Sequence, residues 1–182
     1  MSKVQDTYIT EGMRILRGFE EPKKYIPPNT ILKLFKHLIT DEGDRTRFMQ
    51  FIAHKHKHNT HEYQISFMLT GQGCTGSSIL TDTIMKYIAG LYRHYVISTT
   101  LDVDEIIKLV RTRKHKDRTV VLFMCSTELT WITDNPKDFV AQIELELPSF
   151  CKYLRDLRTI AVGDYYDDYY CSSNWNSRLK GI

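Results

Sequence analysis

Small residues with the spacing of a phosphate-binding loop follow a short apolar run in the chain. Gly71, Gly76 and Ser78 occupy positions that the pattern Gly-x-x-x-x-Gly-Lys-[Ser/Thr] requires, and Gly73 lies between the glycines. Glycines let backbone N–H groups turn toward phosphate oxygens, the following helix directs its positive end at the anion, and the serine hydroxyl binds Mg²⁺. The spacing predicts ATP and Mg²⁺ as cofactors, Ser78 as metal ligand, and a cradle of Gly71, Gly73, Cys74, Thr75, Gly76, Ser77 and Ser78. A glycine- and serine-rich turn that binds no ligand is the alternative.

Ser77 occupies the position at which this pattern requires a lysine. The lysine neutralises the outer phosphates, so its loss leaves backbone dipoles and the metal to do so. We therefore expect nucleotide binding or hydrolysis to be weakened.

Acidic residues that could orient Mg²⁺ and water follow two predicted strands. The catalytic candidates are Asp104 and Glu105 after the first, and Glu128 after the second. Ser126 and Thr127 hold the place of a polar sensor residue. Asp102 or Asp104 could instead simply cap the next helix.

Positive charge is concentrated in residues 111–118, which carry five cations and one acid, whereas the whole chain has 25 Lys and Arg against 22 Asp and Glu. Such density favours phosphate backbones through counterion release. The predicted nucleic-acid contacts are Arg111, Arg113, Lys114, His115, Lys116 and Arg118. A solvated helix end is the alternative.

Two further clusters have simpler interpretations. The histidines at 54, 56, 58 and 61 lack a converging set of metal ligands, so a solvated turn is favoured over a metal site. The Tyr- and Asp-rich residues 164–170 could stack bases, but packing on the core is favoured.

The local patterns predict an α/β protein. Strands are expected at 64–69, 95–97 and 119–125, with helices following the glycine-rich loop and Asp102 or Asp104. The first thirty residues indicate a strand-and-turn segment, followed by helices over 31–39 and around 48–52. In the last third we expect a strand over 139–145 and a helix from about 148 to 157. The expected units are residues 1–62, a small N-terminal helical segment, and 63–182, a three-layer core with a largely parallel sheet, a C-terminal helix and a tail.

Composition excludes several classes of protein. The chain is 42% hydrophobic and 26% charged, with no membrane-length apolar run and no apolar leader. Its four cysteines form no CxxC pair, which indicates reduced thiols. We therefore expect an intracellular protein with no membrane contact.

Read in order, several segments resemble the helicase-type ATPase domain attached to primases of viruses, phages and mobile elements, a branch related to superfamily 3 helicases. They are RGFEEP (17–22), FKHLI (35–39), FIAHK (51–55), LTGQGCTG (69–76), LFMCST (122–127) and LPSFCKYL (147–154). The chain departs from the family at Ser77, at a shortened interval before the sensor strand, and at Ser126 and Thr127, where the family has asparagine.

The resemblance implies a P-loop NTPase-like fold, with a hexamer as one option, whose ATPase is impaired or lost. In related helicases a hairpin before the sensor strand grips DNA, and Lys114, His115 and Lys116 fall in the corresponding place. The expected function is a replication protein that binds single-stranded nucleic acid, in host cytoplasm or nucleus if viral. A catalytically inactive scaffold that docks onto replication proteins is the alternative, and a small-molecule phosphotransferase ranks last.

Overall fold

The computed structural model describes residues 9–57, 65–70, 75–90, 96–99, 118–123 and 135–157. The first three helices are α1 (Glu11–Leu16), α2 (Asn29–Leu38) and α3 (Glu42–Lys57). Strand β1 (Ile65–Thr70) is followed by a π-helix (Ile79–Met85) that runs into α4 (Lys86–Ala89). Strands β2 (Val96–Thr99) and β3 (Arg118–Phe123) precede the long helix α5 (Pro136–Asp156).

The three strands form a parallel sheet in the order β2-β1-β3. In the register, Phe67 of the central strand lies opposite Val96 on one side and Val120 on the other. Each strand falls within or beside an apolar run from which the sequence predicts a strand.

The packed core differs from the predicted P-loop NTPase-like three-layer α/β core, and that prediction is wrong for the described residues. Among the residues whose side chains the structure describes, the buried apolar cluster comes from helices and the residues that flank them. Helices α1 to α3 supply much of it, so they are not a small segment beside a sheet core. Phe35 of α2 lies at its centre, with ring centroids 5.9 Å from Phe48 and 5.4 Å from Phe150.

Helix α1 replaces the predicted N-terminal strand and turn. Its N-cap Thr10 accepts a hydrogen bond from the Met13 backbone N–H at 3.1 Å, and the same hydroxyl donates to the Ile88 carbonyl at 2.7 Å. The cap satisfies a free helix donor, and Met13, Ile15 and Leu16 are buried. Cap and burial together explain the helix.

Helix α5 is continuous where the sequence predicts a strand over 139–145, so the strand prediction is wrong. Asn135 caps the helix through its side chain, Pro136 occupies the first turn, and Pro148 lies inside. The apolar side chains that are buried recur at helical spacing, at Phe139, Ile143, Leu147, Phe150 and Leu154.

Helix α5, near the C-terminal end of the described residues, makes hydrogen bonds to the N-terminal helices. Its Glu146 and Ser149 accept hydrogen bonds from the backbone before and at the start of α2, and Arg155 donates to the Ile15 carbonyl at 3.3 Å. Helices from both predicted units, 1–62 and 63–182, therefore share one buried cluster. The division itself stays a prediction. In the described ranges, every helix is too short or too polar to cross a bilayer.

Candidate functional site

The glycine-rich loop begins at the carboxyl end of the central strand. Strand β1 ends at Thr70, and the chain is described again from Thr75, just before the helix. In open sheets with parallel strands, ligands commonly bind in the crevice beyond the carboxyl ends of the strands. The topology therefore places the segment from Thr75 to Ser78 beyond the carboxyl end of the central strand, the end at which such ligands bind.

Gly76 forms the turn that leads into the helix. Its φ of 85° lies in the left-handed region, where a side chain adds strain. Its carbonyl accepts hydrogen bonds from the backbone N–H groups of Ile79 at 3.1 Å and Leu80 at 3.4 Å. The loop spacing that predicts a glycine here thus coincides with a backbone conformation that requires one.

Thr75 is buried, with only 1% of its surface exposed. Within the described part of the chain, its Oγ1 has no hydrogen-bond partner. Burying a hydroxyl without a partner costs about 1 to 3 kcal/mol, so such groups in native proteins usually meet a ligand, an ion or water. This hydroxyl fits the chemistry of an anion site next to Gly76.

The helix that follows opens with two serines and an unusual wide turn. Ser77 is partly buried and Ser78 is exposed, and the Thr81 hydroxyl lies 3.3 Å from the Ser77 carbonyl oxygen and 3.2 Å from that of Ser78. The π-helical segment begins immediately after Ser78. Segments of π-helix are rare and occur often at functional sites.

The charges of this segment do not favour an anion. Residues 75–85 contain no lysine or arginine, and Asp82 is exposed in the first turn of the π-helix. Backbone dipoles and hydroxyls are the only groups that this segment offers to a phosphate. The residues fit a nucleotide phosphate in shape and hydrogen-bonding type, but with little charge neutralisation.

The structure brings together Thr75, Gly76, Ser77 and Ser78 on one turn. Other residues predicted for the sites lie outside the described residues, namely Gly71, Gly73, Cys74, Asp104, Glu105, Glu128, Arg111, Arg113, Lys114, His115 and Lys116. Their roles stay predictions.

Arg118 is placed by its backbone at the beginning of β3. It pairs with Ile65 at the amino end of β1, whereas the glycine-rich loop follows Thr70 at the other end. Arg118 and Thr70 therefore lie at opposite ends of the paired strands, about 17 Å apart along a strand of this length. Arg118, the last residue of the basic segment, therefore lies at the end of the strands remote from Thr70, after which the glycine-rich loop begins.

The structure describes only part of the histidine cluster, so the preference for a solvated turn over a metal site stays a prediction. In the described ranges, no three His, Cys, Asp or Glu side chains come together in a group that could hold a metal ion. His54 lies on α3, whereas residues 58 and 61 fall outside those ranges.

Comparison with known proteins gives a likeness in fold only. No model of a protein family and no curated protein matches the sequence. Among solved structures, one entitled "The A form apo structure of NrS-1 C terminal region-CTR" is similar with a TM-score of 0.58 at 14% identity. The likeness covers 95% of this chain and 54% of that one, so the chain spans about half the length of its structural neighbour.

Proposed function

We propose that this chain is a replication-associated protein of viral or mobile-element origin that binds single-stranded nucleic acid and holds ATP only weakly. The replication role is supported by the segments that resemble primase-associated helicase domains, which follow one another in the same order along the chain. The observation that carries the nucleotide part is the glycine-rich loop beyond central strand β1, where Gly76 has a φ of 85° and the buried Thr75 hydroxyl is unpartnered within the described residues.

In this proposal the loop backbone and Thr75 would hold the phosphates, and Ser78 would reach Mg²⁺ with its exposed hydroxyl. Bound Mg²⁺ would supply the charge neutralisation that a lysine provides in other loops of this pattern. Because Ser77 provides no cation, affinity depends strongly on the metal.

The nucleic-acid part depends on residues 111–118. Their net charge of +4 exceeds the net charge of +3 of the entire chain. Cations packed so densely along a chain match the spacing of phosphates in a single strand, and the released counterions supply the affinity.

The test is calorimetric titration of the full chain with ATP, with and without Mg²⁺. The affinity for a single-stranded oligonucleotide is then measured without ATP, with ATP, and with ATP and Mg²⁺. We expect weak binding that requires Mg²⁺, with phosphate release close to the uncatalysed rate. Binding that is equally strong without the metal would contradict the assigned role of Ser78.

A scaffold that docks onto replication proteins is the second candidate function. The lack of any lysine or arginine in residues 75–85 favours it. It predicts that the chain binds neither ATP nor single strands, so the same titrations separate the two candidates.

A further inference from the structure

A second cationic segment lies in the N-terminal helical part of the chain. Residues 22–40 contain four lysines and no acidic residue, a net charge of +4. With residues 22–40 and 111–118 set aside, the chain retains 16 Lys and Arg against 21 Asp and Glu, a net charge of −5. The net positive charge of the chain therefore comes from these two short segments, and the rest of the chain is acidic.

The structure exposes all four lysines of this segment. Lys33 and Lys36 lie on the solvent side of α2, one turn apart, whereas Ile31, Leu34, Phe35 and Leu38 on its other side are buried. Lys23 and Lys24 lie in the connection before the helix and are also exposed. Among the residues that the structure describes, no ion pair joins Lys23, Lys24 or Lys36 to a carboxylate.

An aromatic ring is exposed among these cations. Tyr25 directly follows Lys24 and leaves 58% of its surface exposed, although large aromatic side chains usually pack. Bases of a single strand stack on rings presented in this way, and each stacked base contributes about 1 to 3 kcal/mol.

Hydrogen bonds join the end of the connection and the start of α2 to helix α5. The Ile26 backbone N–H donates to the Ser149 hydroxyl at 2.9 Å, and those of Thr30 and Ile31 donate to Glu146 at 2.9 and 3.0 Å. These bonds tie the chain to α5 on the C-terminal side of Tyr25. A ring whose backbone is fixed loses less conformational entropy on binding than a ring on a flexible loop.

The nearest acids along the chain are already paired. Glu20 contacts Arg14 at 2.7 Å, and Glu21 contacts Arg155 at 2.7 Å and Lys152 at 3.3 Å. These pairs reduce the repulsion that the two carboxylates would exert on a phosphate backbone near Lys23.

We propose that Lys23, Lys24, Tyr25, Lys33 and Lys36, here called the lysine–tyrosine surface, form a second binding site for single-stranded nucleic acid. The lysines contact phosphates and Tyr25 stacks on a base. The proposal shares its ligand class with the proposed function but rests on different residues from the basic segment 111–118.

The test measures fluorescence anisotropy of a labelled oligo(dT) with the full chain over a series of salt concentrations. The variants are the pairs Lys23→Gln/Lys24→Gln and Lys33→Gln/Lys36→Gln, which keep most of each side-chain stem. We expect each pair to flatten the log–log salt slope by about 1.4 units, at about 0.7 per phosphate contact. The matched control is Lys86→Gln/Lys137→Gln, because both lysines are exposed and lie outside the two cationic segments.

Variants of Tyr25 distinguish the contribution of base stacking from that of the lysine charges. Tyr25→Ala is expected to lower the affinity for oligo(dT) about fivefold or more, whereas Tyr25→Phe keeps the ring and the affinity. Circular dichroism and the thermal midpoint check that every variant remains folded.

Lysine pairs and a Tyr25→Ala variant that bind like the parent, with the parent's salt slope, would overturn the proposal. If Lys114→Gln/Lys116→Gln loses affinity in that case, the proposed function stands and only the lysine–tyrosine surface falls. Lysine-dependent binding to a poly-glutamate peptide without binding to oligo(dT) would also overturn it, since the surface would then recognise acidic protein.

Discussion

At position 77 a neutral hydroxyl replaces the lysine that a phosphate-binding loop of this spacing carries. Ser77→Lys is expected to add a charge-assisted contact worth about 1.5 to 3 kcal/mol, and therefore to raise ATP affinity about tenfold or more. Calorimetric titration measures the gain, with Ser77→Gln as a control of similar length and no charge. Equal affinities for the parent and both variants would mean that the loop does not form a phosphate cradle.

Cys151 of α5 is a buried free thiol. Burial raises the pKa of this thiol well above its usual 9.0, and the charge of Glu11 raises it further. Because the thiolate is the reactive form, we expect no alkylation of Cys151 by iodoacetamide in the native protein near pH 8, and rapid alkylation in denaturant. Mass spectrometry of the Cys151 peptide provides the readout, and equal rates in both conditions would contradict burial.

The raised pKa of Cys151 also makes the stability of the fold depend on pH, in a known direction. Above pH 9.0 the unfolded chain releases the Cys151 proton while the folded chain retains it. The contribution of the neutral thiol to stability is therefore present below that pH and is lost as pH rises.

Helix α1 packs closely against α4 at Gly12. A Cβ at this position would lie 2.7 Å from the Tyr87 carbonyl oxygen and 3.1 Å from Ile88 Cα, and these backbone atoms cannot move cheaply. We expect Gly12→Ala to destabilise the fold by about 1 to 3 kcal/mol in urea unfolding.

Gly43→Ala is the matched control, because Gly43 also holds the second position of a helix. Its nearest contact is the Asp41 carboxylate oxygen at 3.2 Å, at the end of a side chain. A change within about 0.5 kcal/mol is expected there. Similar losses for both variants would show that the loss at Gly12 does not come from the close contact with α4.

Helix α2 has no side-chain cap of its own, since its N-cap is Pro28. Glu146 of α5 supplies the acceptors instead, and it also accepts from Gln142 Nε2 at 2.9 Å. Glu146→Ala leaves two backbone donors without this partner, and we expect a loss of about 2 to 3 kcal/mol in urea unfolding.

Glu144→Ala, at an exposed position on the same helix, should change stability by less than about 0.5 kcal/mol. A tolerated Glu146→Ala would mean that α2 does not depend on α5 for its cap.

For the molecule as a whole, the basic segment 111–118 distinguishes a nucleic-acid-binding protein from a scaffold. If its cations meet phosphates, Lys114→Gln/Lys116→Gln should flatten the salt slope for single strands by about 1.4 units, with scarcely any change in sequence preference. Anisotropy with two oligonucleotides of different sequence measures both. A variant that matches the parent in affinity and slope would remove this segment from the proposed interface.

Strand and helix positions could be predicted where the local pattern is unambiguous. The apolar run around Phe67 predicts β1, and the helical spacing of Ile31, Leu34, Phe35 and Leu38 predicts α2. In α5 the pattern is ambiguous, because Phe139, Ile143 and Leu145 fit strand alternation as well as part of a helix. Only packing resolves it, since Leu145 is 59% exposed while Ile143 and Leu147 are buried on the helical face.

For the candidate site, too, some features could be predicted from the sequence and others depended on tertiary packing. The sequence alone determined the loop spacing, the serine at position 77 and the confinement of positive charge to short segments, because these are properties of neighbouring residues. Only the tertiary structure decided the burial of Thr75 and the cap that Glu146 gives to α2. It also decided that Arg118 lies at the end of the strands opposite to Thr70, after which the loop begins. Each of these depends on a contact between residues far apart along the chain, and local sequence carries no record of which distant surfaces will pack together.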